Sequence, residues 1–208
     1  MNWLAHVLLS RPDVEFRLGN LLADLVKGPE REAMSAAFIE GARHHQAIDG
    51  FTDRHAVVRR SRARIGSDHR YASGILVDVF YDHFLSIDWD RYSSEPLDAF
   101  TARVYGDVSS HPIELPRQAK IAVERMLEHD VLGSYQRLEG VETTLLRVSQ
   151  RLSSRVGREL ALEGGLADLV AGFEDLRGDF NAFFPELQAY SQERLAGIES
   201  SPKHGYSE

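Results

Sequence analysis

The chain has 208 residues, 43% of them apolar and 27% charged, with a formal net charge of −8 and no cysteine. Those numbers describe one globular domain and exclude disulfides, thiolate zinc sites and a cysteine nucleophile. The acidic total argues against nucleic-acid binding through the whole surface, so an anionic partner needs a local basic patch. No apolar run approaches the ~18 residues of a membrane span. Residues 1–6 lack the basic start of a secretory signal, so a cytoplasmic location is expected, with no membrane association.

Taken in chain order, helical spacing of apolar residues dominates and sustained two-residue alternation is missing. Lys27-Gly28-Pro29 ends an early helix, because glycine suits the residue after a helix and proline cannot continue one. Ser93-Ser94-Glu95-Pro96 reads as a helix entry, with serine as cap and proline in the first turn. Val141, Leu145, Val148, Leu152 and Val156 step at helical intervals, and Leu166, Leu169, Val170, Phe173, Leu176 and Phe180 continue the habit. Pro185 should start or kink a final helix. The expectation is an all-α domain of roughly eight helices over residues 1–196, followed by a frayed tail over 197–208.

Four apolar segments near the start each carry two polar residues one helical turn apart, hence on one face. They are Asn2/His6, Asn20/Asp24, His45/Asp49 and Asp78/Asp82. The last pair lies in GILVDVFYDHFL, apolar nearly all round and therefore expected to be buried. Two buried carboxylates on one face repel unless a cation stands between them. A His/Asp set without thiolate suits Mn²⁺, Fe²⁺ or Mg²⁺ better than structural Zn²⁺. Each pair also has a plainer explanation. His6 can be a hydrogen-bonded structural histidine, Asn20 a backbone bridge, and Asp24 a partner of Lys27. His45 and Asp49 can simply bond one another, and arginines can replace the cation beside Asp78 and Asp82. His83 lies about 140° around the helix from Asp78 and cannot share its face squarely.

At these residues the sequence resembles a known family. The strings NWLAH and RLGNLLAD, then His45-x-x-x-Asp49-x-Phe51-Thr52-Asp53-x-His55 and GILVDVFYDHFL, look like acyl carrier protein phosphodiesterases. The resemblance is densest over residues 2–90. It implies an all-helical fold related to the HD phosphohydrolases and dependence on a divalent cation, best Mn²⁺. The implied reaction hydrolyses the phosphodiester joining 4′-phosphopantetheine to a serine of acyl carrier protein, releasing the apo-carrier. Where Gln46 and Ala56 stand, the family pattern has arginine and proline.

On that basis Asp24, His45, Asp49 and Asp78 are the expected metal ligands, with Asp82 a ligand or an orienting group. His6 and His83 are candidate proton donors to the departing serine oxygen. Asn2, Asn20 and Lys27 are candidates to hold phosphate or pantetheine oxygens. Between Arg54 and Arg70 six arginines face one aspartate, Asp68. Arg59, Arg60, Arg62 and Arg64 therefore offer a stripe where an acidic carrier can dock, unless they pair with acidic neighbours instead. Two other readings stay open: an HD-type hydrolase acting on nucleotides, and a helical adaptor that binds an acidic protein without catalysis.

Overall fold

In a computed structural model, residues 1–157 and 159–200 are described. They form twelve α-helices and no strand. The order is α1 (Trp3–Leu8), α2 (Val14–Leu22), α3 (Pro29–Glu32), α4 (Ala36–Arg54), α5 (Ala56–Arg64) and α6 (Ser73–Ile87), then α7 (Leu97–Ser110), α8 (Arg117–Glu128), α9 (Val131–Ser134), α10 (Leu138–Val156), α11 (Leu166–Ala171) and α12 (Phe173–Ser200). Eight of these have nine or more residues, and the other four have six or fewer. The short ones escape a reading by periodicity because one or two turns hold too few apolar positions to show a period.

The signals at helix ends act locally as their chemistry requires. Asp13 and Ser35 accept from the N–H of Phe16 and Phe38, capping α2 and α4. Gly28 adopts φ 55°, and Pro29 opens α3 in the position where its missing N–H costs nothing. Around Pro96 the expected serine cap is not used: Pro96 itself precedes α7, and Ser93 instead closes a turn with the Glu95 N–H. Pro185 lies inside α12, which runs on to Ser200. Residues 197–200 are thus helical, and the rest of the expected tail, 201–208, lies outside the described residues.

The core runs through α6, whose Leu76, Val77, Phe80, Tyr81, Phe84 and Leu85 are fully buried. Around it pack α1, α5, α10 and α12. The long α12 contributes Phe180, Phe183, Phe184 and Leu187, all fully buried. Each such side chain removed from water stabilises the fold by about 1.5–3 kcal/mol. Among the described residues no helix is long and apolar enough to cross a membrane.

The α5 stripe is spent inside the fold. Arg60 and Arg64 both donate to Asp179 of α12, at 2.8 and 2.9 Å, and Arg64 also reaches Asp175. Arg62 pairs with Asp53 at 2.6 Å, and Arg59 donates to the Arg54 carbonyl. Asp179 is only 2% exposed. Burial works to raise its pKa, but donors from Arg60, Arg64 and Ser61 outweigh that and hold it below the usual carboxylate range. Arg60, Arg62 and Arg64 thus pair with acidic neighbours, while Arg59 bonds a backbone carbonyl.

Candidate metal centre

Two glycines bring α2 and α4 together. A Cβ on Gly19 would lie 2.0 Å from the Phe38 carbonyl oxygen, and one on Gly41 would lie 2.0 Å from that of Phe16. Only a hydrogen fits in either place, and the two helices make the most extensive pair in the molecule. That closeness carries His45 of α4 against the backbone of α2, where its Nδ1–H donates to the Asn20 carbonyl at 2.7 Å.

Asn20 orients the other histidine. Its Nδ2 donates to the His6 carbonyl at 2.7 Å and to Ser10 Oγ at 2.8 Å. Its Oδ1 is left to accept from His6 Nδ1, 2.9 Å away. The two imidazoles stack with centroids 4.0 Å apart. Their Nε2 atoms face Asp49, His6 at 3.3 Å from Oδ1 and His45 at 2.9 Å from Oδ2. Since each ring uses its Nδ1 proton elsewhere, a neutral ring turns a bare lone pair toward a carboxylate. Both Nε2 atoms are buried and have no hydrogen-bond partner. His6 is held neutral near pH 7, because burial and then the neighbouring His45 push its pKa down to about 4. For Asp49, burial acts to raise the pKa. Contacts from His45 and His6 and the nearby α-amino group reverse this and hold it well below the carboxylate range.

Two ring nitrogens and a carboxylate oxygen pair thus converge at one point, and the neutral His6 ring offers a lone pair to it. His6, His45 and Asp49 could hold a divalent metal ion. Each histidine donates its other ring nitrogen to an amide oxygen, the arrangement that fixes tautomer and ring direction in metal sites. Asp24 lies at the rim, 76% exposed, with Oδ2 3.9 Å from His45 Nε2 and Oδ1 3.4 Å from Lys27. Asp78 is across the cluster, with Oδ1 3.1 Å from the α-amino group of Met1, which is itself 3.5 Å from Asp49. Burial raises the Asp78 pKa and the amine opposes that rise.

Several residues lie elsewhere than their spacing suggested. Asp82 is fully buried and accepts from the backbone N–H of Leu4 at 2.7 Å and Ala5 at 3.3 Å. It thereby caps α1, whose own Asn2 side chain makes no cap bond. Burial pushes its carboxyl up to about 7, against those two N–H groups. Asp78 and Asp82 thus make different direct contacts, one with the α-amino group and the other with two backbone N–H groups, while the positive amine acts on both. His83 Nδ1 donates to the Tyr135 carbonyl at 2.7 Å, and its ring lies against Phe84 and Phe173, not in the cluster. Asn2 donates to Tyr135 Oη at 2.9 Å. Asn20 is fully buried behind the histidines, so its amide orients them instead of facing a substrate. His6 lies in the group that could hold a metal, beside His45 and Asp49. His44 points the other way, its Nε2 toward the Leu9 carbonyl and Ser191 Oγ. The residues missed in the sequence are Gly19, Gly41 and Ser10. Gly19 immediately before Asn20 and Gly41 one turn before His45 were the available signal for the first two.

A sequence model of the family described as acyl carrier protein phosphodiesterase matches residues 1–187. This chain belongs to that family. Relatives named acyl carrier protein phosphodiesterase include one from Serratia proteamaculans, 32% identical over 93% of this chain and 99% of the relative. One from Klebsiella pneumoniae is 30% identical over 93% and 99%, and one from Photorhabdus laumondii 29% over 93% and 94%. No solved structure matches the chain. Within the phosphodiesterase family assignment, the matched span contains every residue of the metal group.

Proposed function

We propose that this chain hydrolyses the phosphodiester between 4′-phosphopantetheine and a serine of acyl carrier protein. The observation that carries the reading is the convergence of His6 Nε2, His45 Nε2 and the Asp49 carboxylate within reach of a single ion. Mn²⁺ is the expected ion, since the donors are two imidazoles and carboxylates without thiolate. Asp24 and Asp78 complete the set from either side. A divalent cation held there supplies Lewis acidity toward a phosphoryl oxygen and lowers the pKa of water toward ~7.

The protein's own residues do the rest. Asn20 keeps both histidines in the tautomer that leaves Nε2 open. Lys27, exposed at the rim beside Asp24, is placed to hold a phosphate oxygen of the substrate. In the balanced reaction a water oxygen bonds to phosphorus and the bond from phosphorus to the serine oxygen breaks. That oxygen leaves with a proton as apo-carrier, and 4′-phosphopantetheine is the other product.

The test is incubation of the protein with phosphopantetheinylated carrier and Mn²⁺, weighing the carrier by mass spectrometry. Loss of the arm in the wild type, abolished by chelator and by His45→Ala, is the expected result. Turnover of nucleotide phosphoesters with an untouched carrier points to an HD-type nucleotide hydrolase instead. Carrier binding without metal or turnover points to an adaptor.

A further inference from the structure

The arginines of α5 are taken, but those of α8 and α10 are not. Arg125, Arg147 and Arg151 make no ion pair and no side-chain hydrogen bond among the described residues. They flank a groove of about 610 Å³. Helices α8 and α10 both pack on α9 and diverge from it without substantial contact of their own, which opens the groove between them. Its floor is apolar and buried, formed by Met126, Val131 and Tyr135. The stripe along α10 explains why the gap persists. Val141 and Leu145 are fully buried, Val148 and Leu152 only half-buried, and Val156 is 54% exposed. The apolar face thus runs on past the helices available to cover it.

One end of the groove is lined by Trp3 of α1, the helix that also carries His6. Trp3 and Leu25, the chain neighbours of Asn2 and Asp24, line it, and Asn2 is bonded to Tyr135 on its floor. We propose that this groove seats an acidic amphipathic helix of the carrier-protein partner. The apolar face of that helix rests on the floor, and its carboxylates meet Arg125, Arg147 and Arg151. Arg147 and Arg151 are one turn apart on one wall, and Arg125 is on the other. Three unpaired guanidiniums along both rims exceed what the single phosphate of a prosthetic arm can engage, whereas a helix with several carboxylates meets them all. In a chain of net charge −8, three arginines unpaired among the described residues along one groove are the feature that selects an acidic surface. The proposal rests on the carrier-protein reading above and adds the surface that recognises the carrier.

The experiment measures binding of apo-carrier, which lacks the arm and so reads docking apart from hydrolysis. Arg147→Glu with Arg151→Glu is expected to weaken apo-carrier binding by about ten-fold or more at low salt. The loss should shrink at high salt, because exposed charges are screened over about 8 Å at physiological ionic strength. Ile121→Ser, on the α8 wall, should weaken binding with little salt dependence, and the Arg→Lys pair should retain most of it. With arm-bearing carrier, kcat/KM should fall in parallel while kcat at saturation changes little. Equal binding by wild type and the charge-reversed variant overturns the proposal. So does binding that requires the arm, since the groove then holds the arm alone. A loss that tracks dissociation of a dimer on gel filtration also overturns it, a second copy being the occupant. If wild-type protein binds apo-carrier through the groove yet releases no arm with Mn²⁺, the hydrolysis reading fails and the docking surface stands.

Discussion

Asn20 does more for the site than any one ligand, because its side chain and its carbonyl each fix a histidine. Removing an outer partner of a metal-binding histidine typically costs 10–100-fold in affinity. Asn20→Ala should therefore weaken Mn²⁺ binding by about that factor, measured by isothermal titration calorimetry, while His45→Ala should abolish it. His44, next in sequence but outside the cluster, is expected to contribute to acid sensitivity. Burial, opposed by the Leu9 carbonyl, lowers its pKa to about 4. Above pH 6.5 the folded and unfolded states are both neutral at this residue. Below that, the unfolded chain takes a proton the folded one refuses, so stability falls as pH drops toward 4. The shift corresponds to roughly 3 kcal/mol. His6, lowered to a similar value by burial and by His45, adds to the same window. Denaturant melts from pH 7 to pH 4 should show a shallower decline for His44→Gln than for wild type; an identical decline would remove His44 as a cause.

Between elements, the contact of α2 with α4 sets the geometry of the cluster. Gly41→Ala forces a methyl to within 2.0 Å of a backbone oxygen, which cannot rotate away. Overpacking of this kind costs about 1–3 kcal/mol or more, and here it also pulls His45 off Asn20. The expected result is a lower melting temperature together with weaker Mn²⁺ binding, whereas a purely local strain would lower the first alone. The α5–α12 contact answers to a different test. Asp179→Asn retains the volume but weakens bonds to two guanidiniums, at a cost of about 1–3 kcal/mol. Reversing Arg60 and Arg64 to glutamate should likewise lower the melting temperature. Neither change should alter the salt dependence of carrier binding, which separates a stabilising ion-pair network from a docking surface.

At the scale of the whole molecule, the metal group joins three helices that are distant in sequence. His6 comes from α1, His45 and Asp49 from α4, and Asn20 ties α2 to both. Any ligand that binds only the folded state stabilises it, by about 2.7 kcal/mol at a hundred-fold excess over Kd. For a domain of this size that raises the melting temperature by roughly 5–11 °C. Thermal scans with Mn²⁺ should show such a rise, reversed by chelator and absent in His45→Ala. A rise that survives His45→Ala would place the ion elsewhere.

The helical class was legible in the sequence, because helix formation follows a local period and local caps that need no distant partner. So were the polar residues out of place, since a carboxylate or imidazole in an apolar helix is conspicuous without any structure. What each of them faces was decided by tertiary packing. Asp78 and Asp82 share one helix face, yet one meets an amine and the other caps α1, because the crossing of α1 over α6 separates them. The arginines of α5 and those of α8 and α10 are the same residue type in similar numbers. The positions of Asp53 on α4 and of Asp175 and Asp179 on α12 distinguish the paired set from the one unpaired among the described residues. Spacing along a helix defines the face on which a residue lies, whereas charge pairing depends on which helix the fold lays against that face.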